Sequence, residues 1–321
     1  MRVLQVVTKM DRGGLETMLM NYYRRIDRNK VQFDFLVHRE ERGAYDDEIE
    51  LLGGKIYRLP RLVPWSVSYL SSLNNFFDEH LEYKIVHVHQ DCLSSVILKA
   101  AKKHRIPVRI AHSHSSSQDK NLKYPIKLIC KHSIPKYATD LFACGKNAGN
   151  WMFGGASYKI INNAIDVAAY AYDLTKRQEM RQQLSVENEF TVGHVGRFNQ
   201  PKNHSFLLEI FNALLKEEPN AVLLLVGGGE DMKMIQVKAQ ILGIAEHVRF
   251  LGIRSDVADL MQAMDIFVFP SLYEGLGIAL IEAQAAGLPC VVSDTIPKEA
   301  YLTDLVKSES LSDSPDKKKK K

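Results

Sequence analysis

"DIFVFPSLYEGLGIALIEAQAAGLPCVVSD", residues 265–294, is the stretch whose reading decides the fold. It opens on a short apolar run that stops at Pro270, continues through a turn of small residues, and enters a helix expected to begin at Gly277 or Ile278. "PCVVSD" (289–294) then reads as a second apolar strand. Strand, turn, helix and strand in this order make a βαβ unit, and strands apolar on both faces belong to a parallel sheet covered by helices on either side. Two carboxylates interrupt the apolar and small residues of 271–292: Glu274 falls on the strand-to-helix loop, and Glu282 just over one turn into the helix. A carboxylate on such an apolar helix demands a polar partner.

The same rhythm extends in both directions. Short β-branched runs, each followed by a helix-like segment, occur at "VLQVV" (3–7), "QFDFLVH" (32–38), "KIVHVH" (84–89), "VRIAHSH" (108–114) and "LFACG" (141–145). After "IINNAID" (160–166) the pattern restarts with "FTVGHVGR" (190–197), "AVLLLVGGGE" (221–230), "HVRFLG" (247–252) and the opening stretch. The expected architecture is α/β, with two Rossmann-like doubly wound domains, 1–165 and 166–305, facing a central cleft. Ligands of such sheets bind at the carboxyl ends of the strands. Residues 306–321 read as a polar, lysine-ended tail, disordered or appended.

A composition of 45% hydrophobic and 25% charged residues over 321 positions is that of a soluble protein with room for two cores. "MRVLQVVTKMDRGG" has too short an apolar run for a secretory signal, and no run of 18 apolar residues occurs, so a cytoplasmic location is expected. Cys92, Cys130, Cys144 and Cys290 lack the spacing of a zinc site or a disulfide framework. The net charge of +4 becomes −1 without Lys317 to Lys321. Residues 1–165 carry 25 Lys and Arg against 16 Asp and Glu, a net of +9, whereas residues 166–316 carry 12 against 22, a net of −10. A basic N-terminal half suits a lipid-linked phosphate or peripheral contact with an anionic membrane at the inner face of the plasma membrane. No basic and aromatic interleaving accompanies the charge, so nucleic acid is not an expected partner.

Several polar groups are expected at strand ends. Gly13 and Gly14 follow the first strand and precede a helix, where backbone can approach a ligand and a helix N-terminus favours anions. His87 and His89 in "VHVHQ", and His112 and His114 in "AHSHSSS", lie at strand ends, and alternation puts the members of each pair on one face. H-x-H pairs without a nearby carboxylate pattern are weak grounds for zinc, and no metal is expected. Arg197 and Lys202, in the loop of "GHVGRFNQPKNHSF" (193–206), suit a diphosphate clamp. "VGGGE" (226–230) is a second glycine-rich turn without the G-x-x-x-x-G-K-[ST] pattern, which disfavours a P-loop nucleotidase.

"GGLE" (13–16), "AHSH" (111–114), "NAID" (163–166), "GRFNQPKN" (196–203), "LGIRSDV" (251–257) and "FPSLYEGLGIALIEAQAAGLP" (269–289) together resemble the family 4 glycosyltransferases, retaining enzymes of the GT-B type. The sequence looks most like the bacterial members that build capsules and exopolysaccharides. The resemblance implies that Glu282 accepts hydrogen bonds from the ribose of a nucleotide sugar and that Glu274 holds hydroxyls of the donor sugar. It implies that Arg197, Lys202 and the backbone of Gly275, Leu276 and Gly277 face the diphosphate, with Ile253 and Arg254 near the base. Gly14 would approach phosphate or acceptor, Gly13 and His89 would line the acceptor side, and His114, with His112 as its rival, would touch the donor sugar.

The implied reaction moves a sugar, most simply from a UDP-sugar, to a hydroxyl of a glycan or polyprenyl-linked acceptor with retained anomeric configuration. No D-x-D sequence occurs and two cations can neutralise a diphosphate, so no metal or other cofactor is expected. The family usually continues into a long helical segment beyond "IPKEAYLTDLV" (296–306), so a truncated C-terminal end is expected as well. Two further readings share these motifs: a sugar-nucleotide epimerase of the same fold, and an inactive donor-binding subunit of a glycosyltransferase complex. Intact Glu274 and Glu282 count against the second.

Overall fold

The apolar runs of the N-terminal half pair as one parallel sheet and those of the C-terminal half as another, in a computed structural model that describes residues 1–118 and 124–312. The chain divides into two compact units, Met1–Ala164 and Ile165–Lys321, one residue before the division read from the sequence.

In unit 1, β1 (Arg2–Val6), β2 (Gln32–Val37), β3 (Ile56–Arg58), β4 (Ile85–Val88), β5 (Val108–Ser113), β6 (Asp140–Ala143) and β7 (Lys159–Ile160) lie in the order β3-β2-β1-β4-β5-β6-β7, all parallel. The direction of winding reverses between β1 and β4, which makes their carboxyl ends the switch point where such sheets take ligands. The helix Gly14–Arg25 buries Met18, Leu19 and Tyr23 against Val7, Phe35 and Val37. Each such side chain contributes about 1.5–3 kcal/mol by leaving water.

In unit 2, β8 (Thr191–Val195), β9 (Val222–Val226), β10 (Val248–Gly252), β11 (Ile266–Phe269), β12 (Cys290–Ser293) and β13 (Val306–Glu309) lie in the order β10-β9-β8-β11-β12-β13, again all parallel. The switch point here lies between β8 and β11. β9 is buried along its whole length, and Leu207, Leu208 and Phe211 of the helix His204–Leu214 pack with Leu223 and Leu225. Asp265, at the head of the opening stretch, accepts from the Thr191 amide at 2.7 Å and pairs with Arg177 at 2.5 Å and Arg181 at 3.2 Å. That ion cluster pins the helix Leu174–Leu184 to the start of β11.

One expectation is corrected. Residues 306–309, read from the sequence as part of the tail, form an edge strand paired to β12 from Cys290 opposite Val306 to Ser293 opposite Glu309. Its exposed Lys307 and Ser308 give a short polar strand, the composition that suits a sheet edge and that hides it from a search for apolar runs. The lysines at 317–321 lie outside the described residues.

The "VGGGE" turn serves packing. The Gly196 amide donates to Val226 O at 2.9 Å and the Phe198 amide to Gly228 O at 3.0 Å, so the loop after β8 lies on the turn after β9 backbone to backbone. Gly227 has φ +140°, and a Cβ there would stand 2.0 Å from the Gly196 carbonyl oxygen. Gly227→Ala therefore combines left-handed strain with a backbone clash, an expected cost above about 3 kcal/mol. Calorimetry should show the melting temperature of unit 2 lowered by roughly 6–12 °C.

Candidate functional site

In unit 2 the loops after β8 and β11, the two strands of the switch point, are tied to each other. The Leu272 amide donates to Pro201 O at 2.7 Å, and Asn203 Nδ2 donates to Pro270 O at 3.1 Å. Asn203 reaches that position from a left-handed conformation, φ +55°, that ends the single turn Gln200–Lys202. The result places Lys202 Nζ 2.6 Å from Glu274 Oε1, with the ammonium also 4.6 Å above the centre of the Phe269 ring. The two side chains are only 19% and 13% exposed, so water screens this pair far less than a surface ion pair.

Beyond Glu274 the chain passes through buried Gly275, Leu276 and Gly277 into the helix Ile278–Ala285. Gly277 caps it at φ +87°, a conformation that side chains resist, and a Cβ would press on the Phe269 ring at 3.2 Å. The Leu280 amide in its first turn donates to the Gly277 carbonyl at 3.0 Å, and those of Ile278 and Ala279 have no carbonyl a turn earlier in the helix to bond, so they can serve an anion or a hydroxyl. Glu282, the fifth residue of the helix, is 6% exposed. Burial pushes its carboxyl up to about 7, while the Tyr170 hydroxyl, which donates to it, and the nearby Lys202 charge pull in the other direction. The second polar residue of the same helix does different work: Gln284 donates to Ala300 O at 2.8 Å and accepts from the Leu302 and Thr303 amides at 2.8 and 3.0 Å, closing the loop that leads to β13.

The structure thus brings Lys202, Glu274 and Glu282 into one electrostatic set. Arg197 is exposed and makes no ion pair among the described residues. Ile253 is 63% exposed and packs over Gly228, while Arg254 donates to both oxygens of Asp256 at 2.8 and 2.5 Å. Tyr170 was missed by the sequence reading, as were Ser293 and Thr295, whose hydroxyls donate to Ser271 O at 2.6 and 2.7 Å and tie the loop after β11 to the end of β12. His204 was missed too: its ring stacks on Phe198 with centroids 4.1 Å apart, and burial lowers its pKa to about 2.

In unit 1, Gly13 is the extended N-cap of the helix Gly14–Arg25, with its carbonyl accepting from the Thr17 amide at 2.8 Å. His87 and His112 lie inside β4 and β5, so only His89 and His114 stand past the strand ends as expected. Alternation holds each pair on one face, with ring centroids 4.2 Å apart for His87 and His89 and 4.1 Å for His112 and His114. Across the strands, His87 Nε2 lies 3.1 Å from His112 Nδ1, and His89 Nδ1 lies 2.8 Å from His114 Nε2. His89 Nε2 donates to the buried Gln5 Oε1 at 2.9 Å.

Burial holds all four rings well below the usual imidazole range, His112 at about 3. Alongside them, and unnoticed in the sequence, His38 donates from Nδ1 to Val7 O at 3.0 Å and accepts at Nε2 from the Tyr69 hydroxyl at 2.9 Å.

Two doubly wound parallel sheets thus carry a Lys and Glu set and a helix N-terminus at one switch point and histidines beside the other. The glycosyltransferase family 4 model matches residues 12–169, and the model for glycosyl transferases group 1 matches residues 175–318. Over 308 residues the chain is 36% identical to a Bacillus subtilis protein that bears the glycosyltransferase name EpsF, covering 93% of this chain and 80% of that protein. It is 24% identical over 323 residues to the Staphylococcus aureus capsular polysaccharide biosynthesis glycosyltransferase CapH, covering 96% and 85%. The fold is that of Anabaena HepE, solved with UDP-glucose, at a TM-score of 0.83, 21% identity, and coverage of 100% and 88%. The chain belongs to the family 4 glycosyltransferases and is an enzyme of the hexosyltransferase type. Among the described residues, no helix is long and apolar enough to cross a membrane.

Proposed function

We propose that the protein transfers a sugar from a UDP-sugar to a hydroxyl of a glycan or lipid-linked acceptor in bacterial surface polysaccharide synthesis, with retention at the anomeric carbon. The observation that carries this reading is the partly buried Lys202–Glu274 pair beside Glu282 at the carboxyl ends of β8 and β11. A cation next to two carboxylates fits an anionic diphosphate flanked by two polyols. Glu282 takes the ribose hydroxyls, Glu274 the sugar hydroxyls, and Lys202 and Arg197 the diphosphate, with the amides of Gly275, Leu276 and Gly277 in support. Ile253 and Arg254 take the base. In unit 1, His114 takes the donor-sugar contact, with His112 its rival, while Gly13, Gly14 and His89 serve acceptor or phosphate.

In the transfer, the bond between the anomeric carbon and the phosphate oxygen breaks and a bond to the acceptor oxygen forms on the same face. The acceptor proton passes to the departing phosphate. Lys202 and Arg197 stabilise the charge that develops there, the task a divalent metal performs elsewhere, so added Mg²⁺ should not raise turnover. The basic N-terminal half supports contact with lipid-linked phosphate or an anionic membrane.

The test is incubation with UDP-, GDP- and ADP-sugars and candidate acceptors, followed by NMR of the product. UDP release with an α-linked product from an α-linked donor supports the reading, and no nucleotide release from any donor overturns it.

A pH dependence follows from Glu282. Ribose hydroxyls donate to the ionised carboxylate, so the complex favours deprotonation of a group that titrates at about 7 in the unliganded protein. Affinity for a UDP-sugar, whose own diphosphate does not titrate in this range, should be full above that pH and fall about tenfold per unit below it. Calorimetric titration between pH 5.5 and 8.5, on the order of the range the group spans, checks this, and Glu282→Gln should flatten the profile.

A further inference from the structure

Among the described residues, one ring nitrogen from each of His87, His89 and His112 lies within 4.8 Å of the others, with no carboxylate among them. We propose that these three imidazoles bind a single transition-metal ion of the Zn²⁺ class, with His114 beside its fourth position. In a tetrahedral site with metal–nitrogen bonds of about 2.0–2.1 Å, ligand nitrogens stand roughly 3.4 Å apart. His87 Nε2 and His112 Nδ1, 3.1 Å apart, already have that spacing.

The protons fit as well. His89 gives its Nε2 proton to Gln5 Oε1, which leaves the Nδ1 lone pair directed into the cluster and fixes the ring, the support that metal-ligating histidines usually receive. Each of the two imidazole pairs shares one proton between two nitrogens, and a cation can take the place of such a proton. β4 is paired to β1 on one side and β5 on the other, so the backbone carrying the rings is fixed before any ion arrives.

An all-imidazole set selects Zn²⁺, Cu²⁺, Ni²⁺ or Co²⁺ over Mg²⁺, Ca²⁺ and Mn²⁺, which want oxygen. The site is built from unit 1 residues alone and does not rest on the donor assignment. Two corollaries do rest on it: with His112 engaged as a ligand the donor-sugar contact falls to His114, and with both ring nitrogens of His89 engaged the acceptor side is left to Gly13 and Gly14.

The experiment uses the full chain, stripped with a chelator and titrated with Co²⁺, whose visible absorption reports tetrahedral coordination, and then with Zn²⁺ in competition. The expected result is one equivalent of Co²⁺ with strong visible bands, displaced by Zn²⁺ and untouched by Mg²⁺. Gln5→Met should weaken binding roughly 10–100-fold by releasing His89, and His87→Gln or His112→Gln should weaken it more. Absence of saturable Co²⁺ or Zn²⁺ binding by the parent chain overturns the proposal without recourse to any variant. Binding of equal strength in both histidine variants, with circular dichroism like the parent's, overturns it as well.

Discussion

Glu274→Ala is expected to lower turnover of the nucleotide sugar by roughly 10²–10³-fold, equivalent to about 3–4 kcal/mol at the transition state, while affinity for the bare nucleoside diphosphate stays within about threefold. The separation arises from what the carboxylate faces. One oxygen is engaged with Lys202 at 2.6 Å, and the proposed role of the group is with sugar hydroxyls that the bare nucleotide lacks. Hydrogen bonds to an ionised partner contribute about 1.5–3 kcal/mol each, so losing two accounts for the fall. Lys202 keeps its place above the Phe269 ring and remains available to phosphate, which is why UDP affinity survives. Steady-state kinetics beside a UDP titration of the same variant checks both halves. Equal losses in UDP affinity and turnover would assign Glu274 to the nucleotide instead of the sugar.

Lys202→Met reverses the pattern. Affinity for UDP should fall roughly 30–100-fold, about 2–3 kcal/mol, because the variant removes a mostly buried cation from the proposed diphosphate position. A second readout follows from the same field. Lys202 is one of the influences that hold Glu282 down toward about 7, so without it the carboxyl moves higher. The pH below which a UDP-sugar loses affinity should therefore move upward in Lys202→Met. Calorimetric titration across pH reads both effects in one series, and an unchanged pH midpoint would separate Lys202 from Glu282.

Much of this was legible in the sequence because buried parallel strands write themselves as continuous apolar runs; "AVLLLV" and "DIFVF" are examples. The sheets' shortest members were not. β3, β7 and β13 are two to four residues long, and β13 carries an exposed lysine, so no run marks them.

In the site, residue types were readable and pairings were not. Lys202 and Glu274 are 72 positions apart, and their contact depends on two loops tied through Pro201 and Pro270. Tyr170 carries no motif, and its bond to Glu282 comes from tertiary placement alone. The histidine pairs were visible as H-x-H, but the contact of His87 with His112 follows from the register of β4 on β5, which no local pattern specifies. "VGGGE" was readable only as a glycine-rich turn without the P-loop pattern, whereas Gly227 is needed because the loop carrying Arg197 and Lys202 lies against it.

The most direct measurement is amide hydrogen exchange of the full chain with and without a UDP-sugar. The expected result is slowed exchange at residues 196–203 and 271–282, with both regions losing that protection in Lys202→Met. Unchanged exchange in these two segments at a saturating concentration, or protection confined to other segments, would contradict the assignment of Lys202, Glu274 and Glu282 to the nucleotide sugar.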